Sequence, residues 1–426
     1  MFKFKKLTAI VLTFAMVCML AACGDNKKEP DKNDPTPTGS QSKTEDLTKA
    51  SSGEAPDTKE IEENYKKADG FKKGYANFSA KLLADCYKGE TMMVSPLSLY
   101  AALGMLSNGA SGETLKELEE AFGCDVNEVA KAILYITLRS ERADVVKIAN
   151  SIWINDTEDF NVKDAFLSAC GRYYRSAVKK APFSNPQTLK DLNDWVNEKT
   201  KGRIDKILDR IPENIVMILL NAMTFDGKWM SQFEEDYTEK DGTFVKADGS
   251  KKTVEMMHGD AERYFEDEDM TGVEKDYKDG YFLRAYLPKE GKSVSDILTK
   301  LTKNGTVSYV NADEIYLSMP KFESETTLTL NDTLKAMGVK KAFLEGEADF
   351  SAMTDMSVYV SQVLQKTYIK VDEHGTEAAA VTAILVANEC YIPEKVVKSV
   401  VLDRPFVYEI VDAESGVTLF AGVYEG

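Results

Sequence analysis

Histidine is almost missing from this chain. Its 426 residues contain two, His258 and His374. Neither sits in a nucleophile motif of the G-x-S-x-G kind. H-E-x-x-H is absent, as are the two common phosphate-binding glycine loops. Hydrolytic, metalloprotease and nucleotide-dependent chemistry therefore have no signature here; no metal and no cofactor is implied, and the chain reads as a non-enzyme. The acidic clusters Glu266 to Asp269 and Glu345 to Asp349 read as solvated loops, not as paired catalytic carboxylates. Basic charge is short as well: 53 Lys and Arg against 70 Asp and Glu, a formal net charge of −17. That excludes a nucleic-acid partner, whose phosphates need a basic surface, and fits a soluble, monomer-favouring body outside the cell. The six cysteines match no zinc spacing and no disulfide framework. An apolar run long enough for a confident membrane span is also lacking; the longest, Leu7 to Leu20, is too short.

What that run does fit is an export signal. Lys3, Lys5 and Lys6 precede it, and it ends in Leu20-Ala21-Ala22-Cys23-Gly24. This resembles a bacterial lipobox: small residues admit the signal peptidase, and the Cys23 thiol takes the lipid. Residues 1–22 are then a lipoprotein signal peptide, and the acyl chains hold the protein on the extracellular side of a bacterial membrane. Residues 23–60, rich in Lys, Asp, Glu, Pro, Ser and Thr, have too little apolar surface to fold. They read as a disordered tether spanning on the order of 30–35 Å. Residues 61–426, with hydrophobic residues making up 43% of the chain, read as one folded domain. Cys86, Cys124 and Cys170 read as free, buried thiols.

Helical spacing comes first along this domain. Phe71, Tyr75, Phe78 and Leu82 mark one helix. Ser95-Pro96 starts another, as N-cap and first-turn proline, with Leu99, Ala102, Leu103 and Leu106 as its buried stripe. Further helices are expected around Leu115 to Phe122, Val129 to Ile136, Val162 to Tyr173 and Leu189 to Val196. Val146 to Ile154 alternates as a strand, and Ile215 to Thr224 reads as a strand buried on both faces. After Phe225 strands dominate: Phe282 to Leu287, Ile315 to Met319, Val358 to Val371, Val397 to Leu402, Phe406 to Val411 and Val417 to Val423. Helices early and strands late make an α+β arrangement.

The most informative stretch is Glu373-His374-Gly375-Thr376-Glu377-Ala378-Ala379-Ala380-Val381-Thr382, which follows a strand. At the strand period of two, one face is Thr376, Ala378, Ala380, Thr382 and the other Gly375, Glu377, Ala379, Val381. A loop that later slides into a sheet needs this pattern, with one small, uncharged face and one that tolerates water. Here the chain resembles a serpin. Val94 to Leu99, Ser107 to Thr114, Asn221 to Trp229, Leu317 to Phe322, Met337 to Phe343, Asp403 to Tyr408 and Thr418 to Gly422 match further family stretches, in order, over roughly Gly70 to Gly426.

The resemblance implies the serpin fold: a single domain with three β-sheets surrounded by helices and an exposed reactive-centre loop. It implies a suicide substrate whose loop is attacked by a serine protease, forms a covalent acyl complex, and inserts into the central sheet after cleavage. The hinge is Glu373, Gly375, Thr376, Glu377, Ala378, Ala379, Ala380 and Thr382. The gate for insertion, the shutter and breach, falls on Ser95, Ser98, Asn221, Trp229, Gln365 and Lys366. Gln365 stands where the family often has histidine, which removes one source of pH sensitivity. The usual distance from the hinge puts the scissile bond between Glu389 and Cys390. The loop is a few residues longer than usual, so the bond is open within Val386 to Lys395. Two other readings remain at this stage: a non-inhibitory carrier or binding protein with the same fold, and an inhibitor of cysteine proteases. The uncharged inward face favours an inhibitor over the carrier; the chain is read as an inhibitor of serine proteases, with cysteine proteases as the alternative target.

Overall fold

The computed structural model describes residues 43–50, 57–157, 160–304, 307–376 and 395–426. Residues 42–426 belong to one unit. The signal segment and Cys23 lie outside the described residues, as does the loop carrying Glu377, Ala378, Ala379, Ala380, Thr382, Glu389 and Cys390.

The strand Met217–Phe225 is buried at every position. A run of Met, Ile, Leu, Ala and Phe, broken only by Asn221 and Thr224 and without polar alternation, fits the inside of a sheet covered on both sides. It is the third strand from one edge of a six-stranded sheet ordered Phe322–Thr329, Gln362–Val371, Met217–Phe225, Val146–Asn155, Ala177–Ala181, Glu45–Asp46. Its two neighbours differ in sense. Val146–Asn155 pairs with it antiparallel. Gln362–Val371 pairs with it parallel, from Gln362↔Ile218 to Tyr368↔Thr224.

One face of this sheet is covered by the helix Pro186–Lys199. Leu192 and Val196 pack there against Trp153, Ile218, Leu220 and Leu364. The other face rests on the main core, into which the helix Pro96–Ser107 is threaded. Its residue spacing predicts a single apolar stripe, but every one of its residues is buried. A helix enclosed by protein on all sides has no solvent face to keep polar. Its start is as expected: the Ser95 side chain accepts from the Ser98 N–H, with Pro96 in the first turn.

Two further sheets complete the α+β architecture. The seven-stranded one runs Tyr309–Val310, Arg263–Glu266, Met270–Asp276, Tyr281–Pro288, Phe406–Asp412, Thr418–Tyr424, Met92–Val94. The four-stranded one runs Val397–Val401, Glu314–Pro320, Lys251–Asp260, Glu239–Val245. Cys86, Cys124 and Cys170 are free, the first two half-buried. Burial pushes the thiols of Cys86 and Cys124 up to about 11 and that of Cys170 higher still.

Two sequence expectations need correction. The 266–269 cluster is not a bare solvated loop: Glu266 pairs with Lys398 at 2.9 Å, and Asp269 with Lys292 and Lys300 at 2.6 and 2.8 Å. The tether also ends earlier than residue 60. Glu45–Asp46 adds an antiparallel edge to Ala177–Ala181, with Glu45 opposite Lys180 and Asp46 opposite Lys179. The Thr44 hydroxyl donates to Asp191 at 2.6 Å, and Leu47 packs on the core. The next helix starts at Thr58, capped by Asp57. Composition alone misses such a segment: a two-residue strand draws on the free backbone edge of its neighbour, which any residue type can fill.

Removing residues 1–60 instead of 1–42 should therefore lower the stability of the folded unit. The lost cap, the Thr44–Asp191 bond and the Leu47 contact together amount to roughly 2–4 kcal/mol. Urea unfolding of both truncated chains checks this, and equal midpoints would mean the segment does not dock.

Candidate functional site

Side chains alternate across a strand, so Asn221 faces the main core while Leu220 and Ala222 face the covering helix. Register places Asn150 and Gln365 beside Asn221 on the two flanking strands. Three amides thus lie in a row across the middle of the central sheet. Gln365 Nε2 donates to Asn221 Oδ1 at 2.6 Å and to the Ser95 carbonyl at 2.9 Å, and its Oε1 accepts from the Ser95 N–H at 2.9 Å. Asn221 Nδ2 donates to the Leu364 carbonyl at 2.9 Å. The Ser98 hydroxyl donates to Asn150 Oδ1 at 2.8 Å, and Asn150 Nδ2 returns a bond to the Ser98 carbonyl at 3.1 Å. Ser95 Oγ donates to the Leu419 carbonyl at 2.9 Å. All five residues are buried, and a buried amide left unpartnered costs about 1–3 kcal/mol. The row therefore holds the parallel strand pair closed only while every member is in register.

A second cluster sits at the top of the same strand pair. After Val371 the chain makes a tight turn: the Asp372 N–H donates to the Gly375 carbonyl at 2.9 Å, and the Gly375 N–H to the Asp372 carbonyl at 3.3 Å. The segment beyond Phe225 clamps this turn. Trp229 N–H donates to the His374 carbonyl and Phe233 N–H to the Glu373 carbonyl, both at 3.0 Å. The Trp229 indole N–H takes the Asp372 carbonyl at 2.9 Å. Gly375 forms an antiparallel bridge with Lys228. A Cβ on Gly375 would stand 2.1 Å from the Gly227 carbonyl oxygen, so only glycine permits this approach. Thr376 then donates its N–H to that same oxygen at 2.7 Å, and its hydroxyl meets Tyr277 Oη at 2.8 Å. Thr376 has no exposed surface.

Charge fixes the turn from the side. Glu373 accepts from the Thr238 hydroxyl at 2.8 Å and pairs with Lys321 at 3.1 Å. Burial pushes the Glu373 carboxyl up, but its backbone bond, Thr238 and Lys321 outweigh that and hold it below the ordinary glutamate value. His374 Nε2 lies 3.1 Å from Glu235.

The structure thus brings Ser95, Ser98, Asn221 and Gln365 into one cluster, and Trp229, Glu373, Gly375 and Thr376 into another. Lys366 joins neither. It is on the opposite face of its strand from Gln365, where its ammonium donates to the Lys206 carbonyl at 2.9 Å and pairs with Glu325 at 2.7 Å. Sequence reasoning missed Asn150, Thr238, Lys321 and Tyr277. Asn150 left a trace as the polar residue amid the alternation of Val146 to Ile154. Lys321 lay inside a quoted family stretch. Nothing local marked Thr238 or Tyr277. Among the described residues, no group of three or more His, Cys, Asp or Glu is arranged to hold a metal ion.

Residues 73–425 match the family model described as Serpin (serine protease inhibitor). An uncharacterized serpin-like protein of Thermococcus kodakarensis is 29% identical over 372 residues, 83% of this chain and 86% of its own. Among solved structures, the thermophilic serpin tengpin in its native state is similar with a TM-score of 0.76 at 32% identity, covering 90% of this chain and all of that one. A thyroxine-binding globulin complex with thyroxine has a TM-score of 0.68 at 26% identity, covering 83% of this chain and 98% of that one.

The Glu373 contacts carry a pH signature. A carboxyl whose folded value is depressed contributes stability above its unfolded value, about 4.5 here, and loses it as pH falls through the lower folded value. Wild type should therefore be more stable than Glu373→Gln at pH 6–7, and the two should converge as the pH falls through the lowered folded value. Urea midpoints measured across this range decide; curves that stay parallel throughout would remove Glu373 as the source.

Proposed function

The chain belongs to the serpin family of serine protease inhibitors, and from that premise we propose that it is an irreversible suicide-substrate inhibitor of serine proteases, held by a lipid anchor on the extracellular side of a bacterial membrane. The observation that carries this reading is the antiparallel start already made at the hinge. Gly375 and Thr376 pair with Lys228 and Gly227 above the parallel strand pair, and the turn at Asp372 to Gly375 bridges the two ends of its own loop antiparallel.

A strand continuing from Thr376 between Met217–Phe225 and Gln362–Val371 replaces one parallel ladder by two antiparallel ones. Antiparallel pairing is slightly more stable per residue, and a whole extra set of backbone bonds is gained. Thr376, Ala378, Ala380 and Thr382 supply the small inward face that such a strand needs. The sequence of events follows. The protease serine attacks a loop carbonyl, the amine of the next residue leaves, and the protease stays esterified to the new C-terminus. Relieved of its far attachment, the loop inserts. If Thr376 to Glu389 enters, the esterified end travels about 45 Å at ~3.3 Å per residue, dragging the protease and disrupting the geometry that deacylation needs. We place the scissile bond at Glu389–Cys390. Monomeric action is in keeping with this scheme, since loop and sheet belong to one chain.

The direct test is incubation with glutamyl-, elastase-, chymotrypsin- and trypsin-like proteases. A complex stable on a denaturing gel is expected with at least one of them, and sequencing the released C-terminal peptide identifies the bond. Thr382→Arg puts a charge on the inward face and should slow insertion by at least about tenfold, turning complex into cleaved product. Cleavage without a complex and with no gain in thermal stability would shift the assignment to a carrier. The anchor has its own readout: Cys23→Ser should abolish incorporation of labelled palmitate and release the protein from the membrane fraction. Unchanged labelling would rule out Cys23 as the lipid site.

A further inference from the structure

Lys275 is a buried ammonium that the gate described so far does not use. It lies on the strand Met270–Asp276 with no exposed surface. Its single hydrogen bond among the described residues runs to the Asp260 carbonyl at 2.7 Å. Asp260, Glu262 and Asp276 are near enough to favour its charge, but none forms a salt bridge with it. Its other neighbours are rings: its Nζ is 4.4 Å from the Phe233 ring centre and 5.7 Å from that of Trp229. Those are the two residues that clamp the hinge. Trp229 also stacks on Tyr277 at 4.1 Å and meets Phe233 edge to face at 6.1 Å. Rings, cation and Tyr277 thus form one block, and its polar edge consists of the three donors on the Asp372, Glu373 and His374 carbonyls.

Burying an ammonium for one carbonyl is costly, and a methionine of similar length would pack there at less expense. What methionine lacks is attraction to two ring faces, worth about 0.5–2 kcal/mol when desolvated. We propose that Lys275 is a positioning residue for hinge release: its ammonium fixes Phe233 and Trp229 in the orientation that clamps the hinge carbonyls, and so sets how readily the hinge gives way to insertion. The consequence for inhibition rests on the insertion reading above; the positioning itself does not.

The sign of the pH response separates this role from plain packing. Burial pulls the Lys275 ammonium down to about 8, against the raising effect of Glu262, Asp260 and Asp276. The unfolded chain keeps the proton to about 10.4. Between these values the unfolded state binds more protons, so global stability rises with pH. Over the same interval the neutral amine loses its hold on the rings, so the hinge loosens. A packing residue cannot drive these two quantities in opposite directions.

The experiment is hydrogen exchange of the peptide spanning residues 372–376 in the full chain, each variant compared with wild type at the same pH. At pH 7, Lys275→Met should exchange its hinge amides roughly three- to thirtyfold faster than wild type, the factor matching a lost cation–π contact, with an unchanged or higher urea midpoint. Lys275→Arg should stay slow. Wild type should approach Lys275→Met between pH 7 and 9. Phe233→Leu, which keeps the lysine and removes the nearer ring, should show the same fast hinge and serves if Lys275→Met does not fold. Equal hinge exchange in all variants, or acceleration in Lys275→Met only alongside a lower midpoint, would overturn the inference. Covalent-complex yield is read in parallel. If wild type forms no complex while the hinge responds as stated, the inhibitor reading falls and Lys275 stands; a complex from every variant at equal rates with an unresponsive hinge does the reverse.

Discussion

The parallel contact between Met217–Phe225 and Gln362–Val371 is the constraint on which the rest of this molecule depends. Two strands that both run the same way in the middle of a sheet leave room, topologically, for an antiparallel strand between them. The fold withholds that strand. It covers one face of the contact with the helix Pro186–Lys199 and threads the fully buried helix Pro96–Ser107 beneath the other. Across the contact it sets the Gln365–Asn221 amide bond, with Asn150 on the next strand, and above it the Trp229 clamp. Each of these can be read as a barrier to one event, separation of two strands.

Polar side chains suit that task better than apolar ones. An apolar seam would be held by non-directional burial and would resist separation in proportion to its area. The amide row holds by geometry: it is strong in register and costly when half-broken, so the strands stay together until they part cooperatively. At the top, Gly375 and Thr376 already pair with Lys228 and Gly227; in the insertion proposed above this pairing is the first rung, and a strand nucleates from it without a search.

Much of this was legible in sequence because its signals are local. The serine cap before Pro96, the doubly buried run ending at Phe225, and the small-residue period after Gly375 each follow from neighbours a few positions apart. The serpin resemblance then linked Ser95 to Asn221, which no periodicity connects. What escaped notice depends on partners far along the chain. Thr238 and Lys321 matter only because the fold brings Glu373 between them. The charged strands Glu239–Val245 and Lys251–Asp260 have one solvated face and little apolar pattern. Lys366 was grouped with Gln365 by adjacency, yet one step along a strand reverses the face. The docked Glu45–Asp46 segment looked like tether because backbone pairing at a sheet edge leaves no mark in composition.

The two gates also differ in chemistry. Asn221 stands at the centre of the middle row and Gln365 at its end, and amides and hydroxyls do not titrate near neutral pH, so that row offers solvent acidity no handle. The ionisable side chains of the upper cluster are Glu373 with Lys321, His374 with Glu235, and Lys275 under the rings, while Lys366 pairs with Glu325 on the face of its strand away from the amide row. A serpin built this way keeps titratable groups out of its amide row and gathers several of them at the turn where the loop begins. That division suits the insertion proposed above, which starts at the hinge. Under that scheme a titratable group in the middle row acts on strands that part only after the hinge has moved, whereas one at the hinge acts on the first rung, which every later rung needs.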